Sequence, residues 1–218
     1  MKKTFLILAL ITLICGSSAL FAQAGGTKTL TLEKVCESLA ARPNTTGDFT
    51  QTKTLQTNGR KLKSSGKFIF STEGIVWRTE KPFPSSLILT KDTMTMISAN
   101  GTKSVMDGKD NQIFANISET LSSVFSGNAE QLKKNFKCDF SEADANGWKL
   151  VLTPKDSTIA SVMSTLTLSG EYNKKTDEAA LSALLMTEAS DNTILYEFTN
   201  QNYSKDLSQD EKKYFAAE

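Results

Sequence analysis

Residues 70–90 read FSTEGIVWRTEKPFPSSLILT, and how their apolar side chains are satisfied decides the fold. Glu73-Gly74 marks one tight turn and Pro82 and Pro84 frame a second, so short strands are expected between them. A hairpin with one wetted face alternates apolar with polar residues. Here Phe70, Ile75, Val76, Trp77, Phe83, Leu87, Ile88 and Leu89 put apolar groups on both faces. The charges and prolines exclude a membrane span. A core or a ligand must take up the rest.

Outward from this stretch the period is two. Phe49 to Leu55 alternates with Thr and Gln; Phe68 and Phe70 share a face, with Lys67, Ile69 and Ser71 on the other. Met94 and Met96 form another face, and Asn100-Gly101 predicts a two-residue hairpin turn. Before these strands, Leu32, Val35, Cys36 and Leu39 follow helical spacing, ended by Arg42-Pro43. In the middle, Asn116 with Glu119 resembles a capping box over the stripe Ile117, Leu121, Val124 and Phe125. Ser126-Gly127 stops it, and a second short helix runs from Asn128 towards Phe136. Strand patterns resume through Cys138 and Phe140, Trp148 to Leu152, Leu166 to Tyr172, Leu184 to Met186, and Ile194 to Phe198. They are interrupted by a helical piece at 157–163 and followed by a capped turn at Ser208 and Glu211. The expected architecture is mainly β: a strongly curved antiparallel sheet of about nine to eleven strands with short helices, a sandwich or barrel type.

The 218-residue chain opens with Lys2 and Lys3, an apolar run from Phe5 to Ile14, and the small-x-small site Ala22-Gln23-Ala24. That pattern predicts a cleaved secretory signal peptide over 1–24 and one exported domain over 25–218. Removing 24 residues from 218 leaves 194, enough for a sizeable core. The 25 basic and 24 acidic residues give +1, and loss of Lys2 and Lys3 gives −1, so neither nucleic acid nor an anionic membrane is indicated by net charge. Two cysteines remain, Cys36 and Cys138. Pairing would close a loop of about 100 residues, worth about 4–5 kcal/mol in the entropy model; the alternative is two small buried hydrophobes.

Catalytic chemistry is sparse. The chain has no histidine, which removes Ser-His-Asp and Cys-His catalysis and most zinc sites. No Walker or dinucleotide motif occurs, so no cofactor is expected. Ser64-Ser65-Gly66-Lys67 and Ser190-Asp191-Asn192 match two of three penicillin-recognising motifs, but a following K-T-G is missing. The acidic pairs Glu142 with Asp144 and Asp107 with Asp110 fit solvated turns better than acid/base pairs. No enzymatic activity is expected.

The apolar surplus remains. The expected inward or lid set is Phe68, Phe70, Trp77, Leu87, Leu89, Met94, Met96, Leu121, Phe125, Leu150, Leu152, Leu166, Leu168, Met186, Tyr196 and Phe198. For any one of these residues a conventional core is the simpler account. Taken together, adaptable methionines and a barrel of eight or more strands favour a ligand cavity. Burying one sixteen-carbon acyl chain is worth about 12 kcal/mol at about 0.8 kcal/mol per CH₂.

Several short motifs carry a family resemblance. They are the first helix, Asp48-Phe49-Thr50-Gln51-Thr52, Gly66, Gly74-Ile75-Val76-Trp77 leading to Pro82-Phe83, Leu152-Thr153-Pro154-Lys155, and Tyr196-Glu197-Phe198-Thr199-Asn200. Over roughly residues 30–203 the chain resembles the outer-membrane lipoprotein carrier family, LolA. The resemblance implies an unclosed (half) β-barrel under a helical lid, and a monomeric periplasmic carrier of acylated lipoproteins or another lipid. Its implied partners are an inner-membrane ATP-driven releasing complex and an outer-membrane acceptor. An arginine that precedes the Trp hairpin in the family and engages its lid is replaced by Ser71-Thr72-Glu73. Arg78 follows the Trp on the other strand face. The rival expectation is a non-carrying envelope module that uses its sheet to bind proteins.

Overall fold

The computed structural model describes residues 29–107, 120, 122–124, 126–143 and 146–216. Eleven antiparallel strands form one sheet: β1 Asn44–Thr54, β2 Lys61–Ser71, β3 Gly74–Lys81, β4 Ser85–Leu89, β5 Thr93–Ile97 and β6 Lys103–Asp107 in the first arm. The second arm contains β7 Phe136–Ala143, β8 Gly147–Pro154, β9 Met163–Asn173, β10 Glu178–Glu188 and β11 Thr193–Ser204. Spatial order runs β6-β5-β4-β3-β2-β1-β11-β10-β9-β8-β7, so β6 and β7 are the two edges and the barrel is not closed. Ser104 on β6 and Phe136 on β7 nevertheless line one cavity, so the sheet curls until its edges face a common space.

Two strand glycines permit this curl. A Cβ on Gly66 would overlap the Arg78 carbonyl oxygen, and one on Gly170 would overlap that of Ala180. Each sits beside a register irregularity, between Ser65 and Gly66 and between Leu181 and Ala183, where a bulge bends the strand.

Four short helices complete the described chain. The first, α1 (Leu32–Ala40), is capped by the Thr31 hydroxyl, which accepts from the Lys34 N–H. It packs against β10, and its stripe Leu32, Val35, Cys36 and Leu39 fills one end of the half-barrel. Next, α2 (Ala129–Asn135) touches α1, and the exposed Lys133 ammonium reaches Glu33 at 2.6 Å across that contact. Gly127, at φ 77, ends the helical turn at 122–124 in the left-handed region that favours glycine. Then α3 (Ser157–Ala160) leads into β9, and α4 (Gln209–Lys212) carries a complete capping box from Ser208 and Glu211.

The oily stretch is thereby satisfied on both sides. Phe70, Ile75 and Leu89 face inward and join the main core, and Trp77 and Leu87 pack against it. Ile69, Val76 and Ile88 face outward, where Leu207, Tyr214 and Phe215 of the C-terminal segment cover them as a second small core. Arg78 lies on that outer side and donates to the Tyr214 hydroxyl at 2.9 Å and to Glu80 at 2.6 Å. Those two partners hold its guanidinium above the usual range. This face engages the chain's own C-terminal segment.

One expected turn differs. Ser98 N–H donates to the Thr102 carbonyl, Gly101 N–H donates to the Ser98 carbonyl, and Gly101 alone has positive φ, at 83. The loop between β5 and β6 is thus a three-residue connection closed by a left-handed glycine rather than a two-residue turn. The Asn100 side chain accepts from Thr102 N–H and the Ser98 hydroxyl, which favours the longer form.

Candidate functional site

A cavity of about 560 Å³ opens at the end of the half-barrel away from α1. Its deeper wall is apolar: Phe49 of β1, Trp77 of β3, Leu87 and Leu89 of β4, Met163 and Leu166 of β9, Leu184 and Met186 of β10, and Tyr196 of β11. Its mouth is polar. Gln51, Thr79, Ser85, Ser86, Ser98, Thr102 and Ser104 line it, and four of these (Ser85, Ser98, Thr102 and Ser104) are exposed. Among the described lining residues none is charged. Burial pushes the Tyr196 phenol above its usual range, as expected where no charge sets the local field.

An aromatic wall links cavity and core. Trp77 sits 5.6 Å from Tyr196 and 5.4 Å from Phe70 in ring-centroid distance, with Tyr196 5.9 Å from Phe49. Such tilted and edge-on pairs add stability beyond area burial and stiffen the wall. The Trp77 indole nitrogen is buried without a hydrogen-bond partner among the described residues.

Of the residues singled out from sequence, Trp77, Leu87, Leu89, Met96, Leu166, Met186 and Tyr196 line this cavity. Phe68, Phe70, Leu150, Leu152, Leu168 and Phe198 lie instead in the packed core below it, and Met94 packs against that core. The reason is α1: its apolar stripe occupies the space those side chains would otherwise enclose. Leu121 and Phe125 lie outside the described residues, as does the 1–24 segment. Thr120, next to them, lines the cavity and Val124 is buried. Phe136, Ile159, Met163 and Leu184 were not anticipated as lining. Phe136 and Met163 open their strands and Ile159 sits in a short helical turn, where periodicity gives no placement; Leu184 lies mid-strand, two residues from Met186, and alternation gave its face but not its depth.

Both cysteines are free thiols. Cys36 is buried in α1, and desolvation pushes its thiol up to about 12; half-buried Cys138 is raised by the same cause. Among the described residues no cluster of metal-ligating side chains occurs. Ser64 to Lys67 lie within β2 and Ser190 to Asn192 form the β10–β11 turn, where Asn192 and Ser190 donate to Glu188. Those two motif strings therefore serve strand and turn. No helix among the described residues is long and apolar enough to cross a membrane.

Comparison with solved structures finds the same fold in a DUF1329 family protein from Desulfovibrio piger. It is 11% identical with a TM-score of 0.50, covering 85% of this chain and 94% of that one. A LolA superfamily protein from Nitrosomonas europaea aligns at 10% identity and TM-score 0.44, over 85% of this chain and 96% of that one. A putative outer membrane lipoprotein-sorting protein domain from Vibrio parahaemolyticus aligns at 9% and 0.42, over 85% and 99%. A search of curated proteins finds none that matches. The family described as outer membrane lipoprotein carrier protein LolA matches residues 43–214, from the start of the sheet through the C-terminal segment that covers its outer face, and the chain belongs to that family.

Proposed function

We propose that this protein is a periplasmic carrier. It holds an acyl chain of a lipoprotein, or of another lipid, in the cavity and shuttles it from the inner to the outer membrane. The observation that carries the reading is an apolar-walled cavity, with no charge among its described lining residues, in a member of a lipoprotein carrier family. Trp77, Leu87, Leu89, Met96 and Met186 are the proposed lipid contacts. At about 30 Å³ per methylene, close to the share of a liquid water, 560 Å³ holds roughly one sixteen- to eighteen-carbon chain. No catalytic residue is required; an inner-membrane ATP-driven complex would load the protein and an outer-membrane acceptor would unload it. The carrier acts as a monomer.

Native mass spectrometry and lipid extraction of the protein from its own host test this. Acyl-chain ligands are expected, together with saturable binding of an apolar fluorescent probe. A protein that is always empty, binds no such probe and instead retains a stable protein partner would favour an envelope interaction module and refute the carrier.

A further inference from the structure

The rim beside the cavity mouth carries an unusual combination. Phe83 is 76% exposed at the β3–β4 tip, between Pro82 and Pro84. The two prolines fix φ on either side of it, so the ring is presented with little backbone freedom. Ser65 pairs with Lys81, which sets this tip level with residues 62–64 of the neighbouring strand, where Leu62 is also exposed. Around these apolar groups stand Arg60, Lys61, Lys63 and Lys81, none in an ion pair among the described residues. Residues 55–65 contain no acid. Glu80, the acid nearest the tip in sequence, is taken by Arg78, and Glu188 at the same end is taken by Lys53. Asp156 and Asp191 lie at that end too, but on the β8–β11 side.

A rigid exposed aromatic ringed by unpaired cations is complementary to an anionic lipid surface, where the ring enters the acyl boundary and the cations meet headgroups. We propose that the β1–β2 and β3–β4 tips dock the protein on an anionic bilayer. Phe83 inserts, while Arg60, Lys61, Lys63 and Lys81 engage headgroups. Ser85 and Ser86, just past Pro84, line the cavity, so docking turns the mouth towards the membrane. Overall charge conceals this, because the bias is confined to one arm at one end. The proposal does not depend on which cargo the cavity holds.

Flotation of the full chain with phosphatidylcholine vesicles, containing or lacking phosphatidylglycerol, tests it. Binding is expected only with phosphatidylglycerol and should weaken as salt rises. Phe83→Ser should lower partitioning at least about ten-fold, from the loss of a buried aromatic. The Lys61→Gln/Lys63→Gln double variant should lower it roughly twenty-five-fold, about five-fold per cation. Phe83→Trp should show a blue shift in emission on the anionic vesicles alone. These exposed substitutions should leave thermal unfolding and probe loading of the cavity unchanged, which separates this test from the carrier reading. Equal binding to neutral vesicles, no vesicle binding, or binding that survives both Phe83→Ser and the lysine pair would each overturn the proposal. So would an acidic protein captured by the same residues in the absence of vesicle binding.

Discussion

Val76 and Leu87 lie on adjacent strands of one hairpin and point to opposite faces, so substituting each should affect a different property. Val76 is 1% exposed and packs in the outer cluster under Leu207, Tyr214 and Phe215. Val76→Ala deletes two methyl groups, about 1.6 kcal/mol at 0.8 kcal/mol each. A residual void adds to this, giving about 2 kcal/mol in total. For a chain of this size that corresponds to a fall in Tm of about 4–8 °C. Leu87 lies on the cavity wall opposite Trp77 and is only half-buried. Leu87→Asp places a carboxylate where an apolar ligand would lie, so probe affinity should drop at least about ten-fold, because the carboxyl must either stay ionised without a partner against the apolar ligand or take up a proton, and both cost free energy. Urea unfolding and titration with an apolar fluorescent probe read the two effects separately. Val76→Ala should leave probe affinity unchanged. If it weakened the probe as much as Leu87→Asp, or cost less than about half a kcal/mol, the two-faced reading of residues 70–90 would be wrong.

Gly66→Ala should destabilise the fold at the upper end of the roughly 1–3 kcal/mol typical of overpacking, since the new methyl meets the Arg78 backbone carbonyl rather than a movable side chain; urea unfolding checks this. The Lys53 ammonium, 2.6 Å from Glu188, and the Asn192 amide hold that carboxyl below the usual glutamate range. Its contribution to stability is therefore complete above the ordinary glutamate pKa and lost as pH falls through the lower folded value. Glu188→Gln should flatten the acid limb of a stability-against-pH curve, and an unchanged limb would contradict the assignment. Under mildly alkaline conditions an alkylating reagent should modify Cys138 well before Cys36, whose thiol stays protonated in the folded protein; mass spectrometry of the labelled chain reads the order.

Alternation exposed the strands readily, because Phe68 and Phe70, Met94 and Met96, or Trp148, Leu150 and Leu152 each mark one face at a period of two. Capping chemistry was equally local: the Ser208–Glu211 box and the Gly127 stop are each determined by a few neighbouring residues. Depth along the half-barrel was not legible. Phe68 and Leu87 carry the same inward signal, yet one is core and the other cavity wall, because α1 fills only one end. Nor did alternation show that Ile69, Val76 and Ile88 have a partner more than a hundred residues away in Leu207, Tyr214 and Phe215. Such pairings depend on where the chain returns, which no window of neighbouring residues encodes.

Of the ten strand pairings, nine join strands consecutive in the chain; only β1–β11 spans it, with Asn44 set against Ser204. The beginning of β1 and the end of β11 are therefore side by side. A circular permutant that links the C-terminal segment to the chain before α1, so that both are kept, opens the chain between β6 and β7, and runs from β7 through β11 to β1 and on to β6 would have its strands in the same order in sequence and in space. Every ladder would then join consecutive strands, contact order would fall, and folding should accelerate because the one long-range strand pairing is gone. In the natural order β1–β11 is the one closure that unites the two arms, so refolding kinetics of the permutant would measure how much that closure slows folding.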